Sequence, residues 1–249
     1  MRETPGKRRR LRRKLRPQTE SETALTCATR WQWPVLPGAG LREPRGVGAV
    51  TRAARAARAV RTAGAVQASR GAGCACPYPD CTAAGAHPFE PGLLAATTDA
   101  RMVGWWWEQR PDAPVLLATG GRGASAVSLP AVAGARALGA LDRAGVRTGP
   151  VVATPDRWAV LVRPYSLSEL GEVLNAQDWV PGTLRFHGDG GYLALPPSRT
   201  GAGPVRWERE PVLPAGERGV VAAPWLPDVT AVIGELTAAC AQLAARAGQ

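Results

Sequence analysis

At 249 residues and 45% hydrophobic composition, the chain is long enough for one large domain or two small ones around a packed core. No run of about 18 apolar residues occurs, which argues against a membrane-spanning helix. The basic start has no apolar stretch behind it, which argues against a secretory signal, so a cytoplasmic protein is expected. The formal net charge of +11 points first to a nucleic-acid binder, yet residues 71–249 carry 14 basic and 16 acidic side chains, so the basic character belongs to the N-terminal third.

Residues 1–20 hold nine Lys/Arg against two acids. Such a block predicts a disordered basic tail ahead of a domain spanning 21–249. Ser21–Arg30 is helix-compatible, and Trp31–Pro37 reads as a strand entering a loop. Residues 38–73 are rich in Ala, Arg and Gly. There Arg52, Arg55, Arg58 and Arg61 recur every third residue opposite mostly Ala, too poor a core face for more than a flexible insertion. Asp99–Gln109 reads as a helix capped by Thr98 or Asp99, with Val103, Trp106 and Trp107 inward and Trp105 elsewhere. Val115–Ala118 and Ala126–Leu129 are strand-like. Pro130–Ala144 is a helix closed by Gly145. Val151–Ala153 and Ala159–Arg163 are short strands. Ser166 and Glu169 form a capping box that opens a helix to about Ala176. Thr183–Phe186 and Tyr192–Leu195 are strands on either side of a Gly-Asp-Gly-Gly run, and Val205–Glu208 is another. Asp228 is read as the cap of a final helix, 228–247, with Val229, Val232, Ile233, Leu236, Cys240 and Leu243 on one face. Strands and helices alternate without strict repetition, which predicts an α/β (α+β) class with a mixed sheet.

Cys74, Cys76, Cys81 and His87 give the pattern C-x-C-x4-C-x5-H within 14 residues, in a chain with five Cys and two His. Three thiolates and an imidazole suit tetrahedral zinc, and four protein ligands make a closed, structural site. Gly73, Pro77, Pro79, Gly85 and Pro88 supply the turns that wrap a loop, 74–88, around one ion. Cys27 and Cys240 fall on expected helices and read as core residues.

From Trp31 to Trp207 the chain resembles the bifunctional DNA primase/polymerase domain of the archaeo-eukaryotic primase superfamily. Trp33–Gly38 is similar to the family's first strand and loop. The Cys/His run with Gly85–Pro88 is similar to a metal-binding insertion of many members. Ala96–Asp99, the three tryptophans and Arg110–Ala113 match a helix running into "RPDA". Ala118–Gly120 is similar to the turn before the first catalytic strand. His187–Ser198 matches the family's Gly-Asp-Gly-Gly-Tyr strand ending in Pro-Pro-Ser, and Val205–Trp207 matches the strand that follows. The resemblance implies a mixed-sheet primase/polymerase fold, DNA-directed nucleotidyl transfer as the family activity, and Gly188, Asp189, Gly190, Gly191 and Ser198 as substrate-binding positions.

The departures from the family are as telling. No Asp or Glu occurs in Ala113–Leu141, where the resemblance implies a carboxylate pair. Val127, Ser128 and Leu129 stand in its place. Val160 stands for the His that handles the triphosphate, and Arg185 for a third acid. Two-metal nucleotidyl transfer needs carboxylates to hold the ions, and Mg²⁺ binds through oxygen. The expectation is a domain without nucleotidyl transfer that acts as a nucleic-acid-binding or regulatory module, with structural zinc, and with Mg²⁺ or Mn²⁺ only if active. Its partners would be nucleic acid, met through the Arg-rich arms, or a replication protein. One alternative is an active enzyme with a displaced metal site using Asp156 and Asp189. Another is a protein-interaction domain with no nucleic-acid role, which the near-neutral 71–249 region favours.

Overall fold

In a computed structural model of the chain, residues 18–42, 73–214 and 222–247 are described. The expected basic tail lies almost wholly outside these residues. So does most of the expected 38–73 insertion, 43–72.

The first helix, α1 (Glu20–Thr29), opens on a capping box: Thr19 accepts from the Glu22 amide, and the Glu22 carboxylate accepts from the Thr19 amide. Two of the orphan amides at the helix start are thereby satisfied. Strand β1 (Val35–Gly40) follows. At its end Arg42 donates its backbone N–H to the Gly73 carbonyl at 2.7 Å, so the chain leaves and returns at one point. β2 (Gly85–Pro88) then pairs with β1. Helix α2 (Ala100–Gln109) is capped by Asp99, whose carboxylate accepts from the amides of Arg101 and Met102. Val103, Trp106 and Trp107 are buried, while Trp105 is exposed, as the crowding of three adjacent indoles requires. β3 (Val115–Ala118) pairs with β1 on one side and with β8 (Tyr192–Leu195) on the other. The four strands form one sheet in the order β2-β1-β3-β8.

The second sheet is built from β4 (Ser125–Pro130), β5 (Val151–Ala153), β6 (Arg157–Val162), β7 (Arg185–His187) and β11 (Arg206–Arg209). Its order is β11-β5-β6-β4-β7. Helix α3 (Ala131–Arg143) connects β4 to β5, and Gly145 just beyond it has φ +69°, the left-handed conformation of a helix-ending glycine. Helix α4 (Leu167–Asn175) starts at the Ser166–Glu169 capping box. A small ribbon, β9 (Arg199–Thr200) with β10 (Gly203–Pro204), precedes β11. The last helix, α5 (Thr230–Ala247), buries Val232, Ile233, Leu236 and Cys240. The Asp228 carboxylate, expected to cap it, instead pairs with Arg163.

The expected α/β class is what the chain adopts, with five α-helices among the described residues. Every pairing among the described strands is antiparallel, so strand direction is not mixed.

Two cores follow from strand alternation. The first holds α1, α2 and the four-stranded sheet, and reaches one face of the five-stranded sheet at Ala126, Val152, Ala159 and Leu161. The second lies on the opposite face, where Val127, Leu129, Val151, Val160 and Val162 meet α3 and α5. Each fully buried Leu or Ile there contributes about 1.5–3 kcal/mol relative to exposure. The edge of the first face, not covered by the smaller sheet, is where a cleft opens.

Candidate ligand cleft and metal centre

Between the sheets lies a cavity of about 430 Å³, within the range of small-ligand sites. Its polar wall is the uncovered face of the second sheet. β4 contributes Ser128, β7 contributes Arg185 and His187, and the β5–β6 turn and β6 contribute Thr154, Asp156 and Arg157. Tyr192 on β8 adds aromatic surface. Thr82, Ala83 and Ala86 of the cysteine loop close one end.

Register explains which side chains reach the cleft. On β4, Ser128 stands opposite Arg185 of β7 and Ala159 of β6, so all three share a face. Val127 and Leu129 point the other way, fully buried against the helices. Val160 is likewise in the helix-side core. Around the expected carboxylate pair the cleft is therefore lined by Ser128, and next to Val160 by Ala159. The alternation was readable in the sequence, but its phase was not. Val127, Leu129 and Ala126 are all apolar, so composition alone did not say which set faces a ligand.

The polar groups of the wall are tied together. His187 Nδ1 lies 3.2 Å from the Tyr192 carbonyl and its Nε2 lies 2.9 Å from Ser128 Oγ. A carbonyl only accepts, so Nδ1 carries the proton and Ser128 donates to Nε2. Burial holds His187 below the usual imidazole range. The Tyr192 carbonyl opposes this, and the neighbouring Arg157 and Arg185 add to it. Arg157 donates through one terminal nitrogen to the Ser128 carbonyl at 2.8 Å, the Thr183 carbonyl at 3.0 Å and Ser128 Oγ at 3.2 Å. Its Nε is buried with no hydrogen-bond partner among the described residues. Burial and the like charge of Arg185 both lower its pKa. Among the described residues lining the cavity Asp156 is the one carboxylate, and it accepts from Thr154 Oγ1 at 2.6 Å.

The other expected substrate positions take different parts. Ser198 is fully buried, and its Oγ accepts the Val115 backbone N–H at 2.8 Å, which ties it to β3. Asp189 is exposed and packs over Gly120. A Cβ on Gly120 would sit 2.5 Å from Asp189 Cα, and Gly120 has φ +86°, so that turn demands glycine. Thr119 Oγ1 donates to the Gly188 carbonyl at 2.7 Å. Gly188 lies against the Tyr165 ring, Gly190 has φ +75° and Gly191 lines the cavity. The Gly-Asp-Gly-Gly run thus shapes one edge of the cleft through its backbone.

A set of divalent hard ions does not fit this wall. It offers one carboxylate and two guanidiniums, whereas Mg²⁺ requires several oxygen donors with negative charge.

The cysteine loop is a different case. The ligand atoms of Cys74, Cys76, Cys81 and His87 all lie within 4.8 Å of one another. Cys74 Sγ is 3.3 Å from His87 Nε2 and accepts the Gly85 backbone N–H at 3.2 Å. His87 Nδ1 is 3.0 Å from the Pro88 carbonyl, which holds the proton on Nδ1 and turns the Nε2 lone pair to the cluster. Burial would raise the Cys74 thiol, but the Gly85 and Cys76 amides and the Cys76 and His87 side chains outweigh it, bringing it down to about 6. The donor set fits a tetrahedral ion such as zinc. β2 and the Leu41–Cys74 bridge anchor the cluster to β1.

Compared with protein families, residues 24–225 match the one described as "Bifunctional DNA primase/polymerase, N-terminal". No curated protein and no solved structure matches the chain.

Proposed function

The chain belongs to the bifunctional DNA primase/polymerase N-terminal family, and from that premise we propose that it is a nucleic-acid-binding or regulatory member without nucleotidyl transfer. Its Cys74–His87 loop holds one structural zinc. One observation carries the reading: the cleft wall presents Ser128, Arg157 and Arg185 and a single carboxylate, Asp156. Two divalent ions brought close together repel unless nearby anions offset their charge, and this wall supplies cations instead. The Arg-rich segments 1–20 and 41–70 provide the attraction to phosphate backbones, with the character of counterion release rather than base reading.

The test is a Mn²⁺ titration of the zinc-loaded protein followed by electron paramagnetic resonance. The expected result is no stoichiometric Mn²⁺ site. A tight site lost in Asp156→Ala would overturn the reading in favour of a displaced catalytic centre, for which the place of Asp156 on the cleft is the supporting feature. Metal analysis should return about one zinc per chain, with His87→Ala or Cys76→Ser releasing it. A chain purified with zinc present that carries none would remove the zinc part.

A further inference from the structure

The cleft that cannot gather cations is built to hold an anion. Ser128 and Arg185 are directly opposed across β4 and β7, and Arg157 reaches Ser128 Oγ from β6. Two guanidiniums therefore share one wall with two hydroxyls, those of Ser128 and Thr154. Among the described residues neither Arg157 nor Arg185 makes a salt bridge. The one nearby acid, Asp156, is engaged with Thr154. Arg157 Nε is a buried donor with nothing to donate to. Such a donor costs stability, commonly about 1–3 kcal/mol. Both guanidiniums disfavour the proton on His187, and Arg185 disfavours that on Arg157, a tension that an anion between them relieves. The cavity of about 430 Å³ leaves room beyond one phosphate, and Tyr192 offers aromatic surface for a base.

We infer that this cleft binds the phosphate of a nucleotide or of a nucleic-acid strand directly through Arg157 and Arg185, with no divalent metal. This rests on the proposed reading of the cleft as having lost its metal site. Guanidinium suits the task because its planar fork meets phosphate oxygens two at a time and its charge persists at any working pH.

The experiment is calorimetric titration of inorganic pyrophosphate into the full-length, zinc-loaded protein freed of other divalent ions by dialysis, repeated with Mg²⁺ added. Binding without Mg²⁺ is expected, weakened about tenfold or more in Arg185→Ala. Arg185 is exposed, so this variant keeps the fold, which circular dichroism checks. Arg101→Ala, on α2, should bind as the parent does, which separates the cleft from general attraction to basic surface. Competition by a nucleoside monophosphate and by 5′-phosphorylated or 5′-hydroxyl single-stranded DNA then tells the two sources apart. A strand end as ligand predicts that only the phosphorylated DNA competes strongly. Free nucleotide predicts that the monophosphate does and neither DNA does so through Arg185. Equal binding by the parent and Arg185→Ala overturns the inference. Absence of pyrophosphate binding overturns it while leaving the proposed function standing, provided DNA still binds. Binding seen only with Mg²⁺ overturns both.

Discussion

At the residue scale the decisive fact is which face of β4 and β6 a side chain occupies. Val127 and Leu129 lie in the helix-side core, so a carboxylate placed there meets no ligand. Val127→Asp should destabilise the fold by about 3 kcal/mol or more, as an uncompensated buried charge does. Ser128→Asp, on the cleft beside two guanidiniums, should cost far less. Urea unfolding of both variants checks this, and equal costs would show that the assigned faces are wrong. His187 gives a second test. Its folded pKa lies below 6.5, the imidazole reference, so the unfolded chain binds the proton first as pH falls. Its contribution is complete above about pH 6.5 and declines as pH drops below that value. His187→Gln should flatten this part of the stability–pH curve, measured by denaturant titration from pH 7 to 5. An unchanged slope would mean that the imidazole is not held neutral by its surroundings.

At the element scale, much was legible in the sequence because local chemistry decides it. The Ser166–Glu169 capping box, the Asp99 cap and the spacing of Val232, Ile233 and Leu236 each specify a helix through neighbours three or four residues away. The Cys/His loop was legible for the same reason: four ligands within 14 residues need no knowledge of the fold. Thr19 with Glu22 was an equally local signal, and it places the helix start one residue before Ser21. Strand direction was not legible, since short strands with the same alternation pair either way. Nor was the phase of β4, because both of its faces are buried and each carries one serine, Ser125 on one and Ser128 on the other. Asp228 shows how tertiary contacts override a local pattern, since Arg163 takes the carboxylate that would otherwise cap α5. The helix itself holds by packing. Leu236→Ala, which empties a fully buried site, should cost about 2–5 kcal/mol, read as a lowered denaturation midpoint. A cost under about 0.5 kcal/mol would mean that α5 is not part of the core.

At the scale of the whole molecule, charge and chemistry are divided. The basic excess sits in residues 1–20 and 41–70, while residues 71–249 are close to neutral. Affinity for DNA or RNA should therefore fall steeply with salt and depend little on base sequence. Deleting residues 1–20 should remove much of it and reduce the salt slope, as fluorescence anisotropy at several salt concentrations will read. Undiminished affinity in the deletion would shift recognition to the domain itself. Among the described residues no helix is long and apolar enough to cross a membrane. The cysteine loop joins the two halves of the picture, since it is tied to β1 and also closes one end of the cleft. The central proposal is that a primase/polymerase-family cleft here lacks the acids that hold catalytic metal, with Arg185 in the place of one of them. The most direct measurement is primer extension by the full-length protein on a primed template, with deoxynucleoside triphosphates and Mg²⁺ or Mn²⁺. The account predicts no template-directed incorporation with either ion. Robust Mg²⁺-dependent extension that Asp156→Ala abolishes would contradict it.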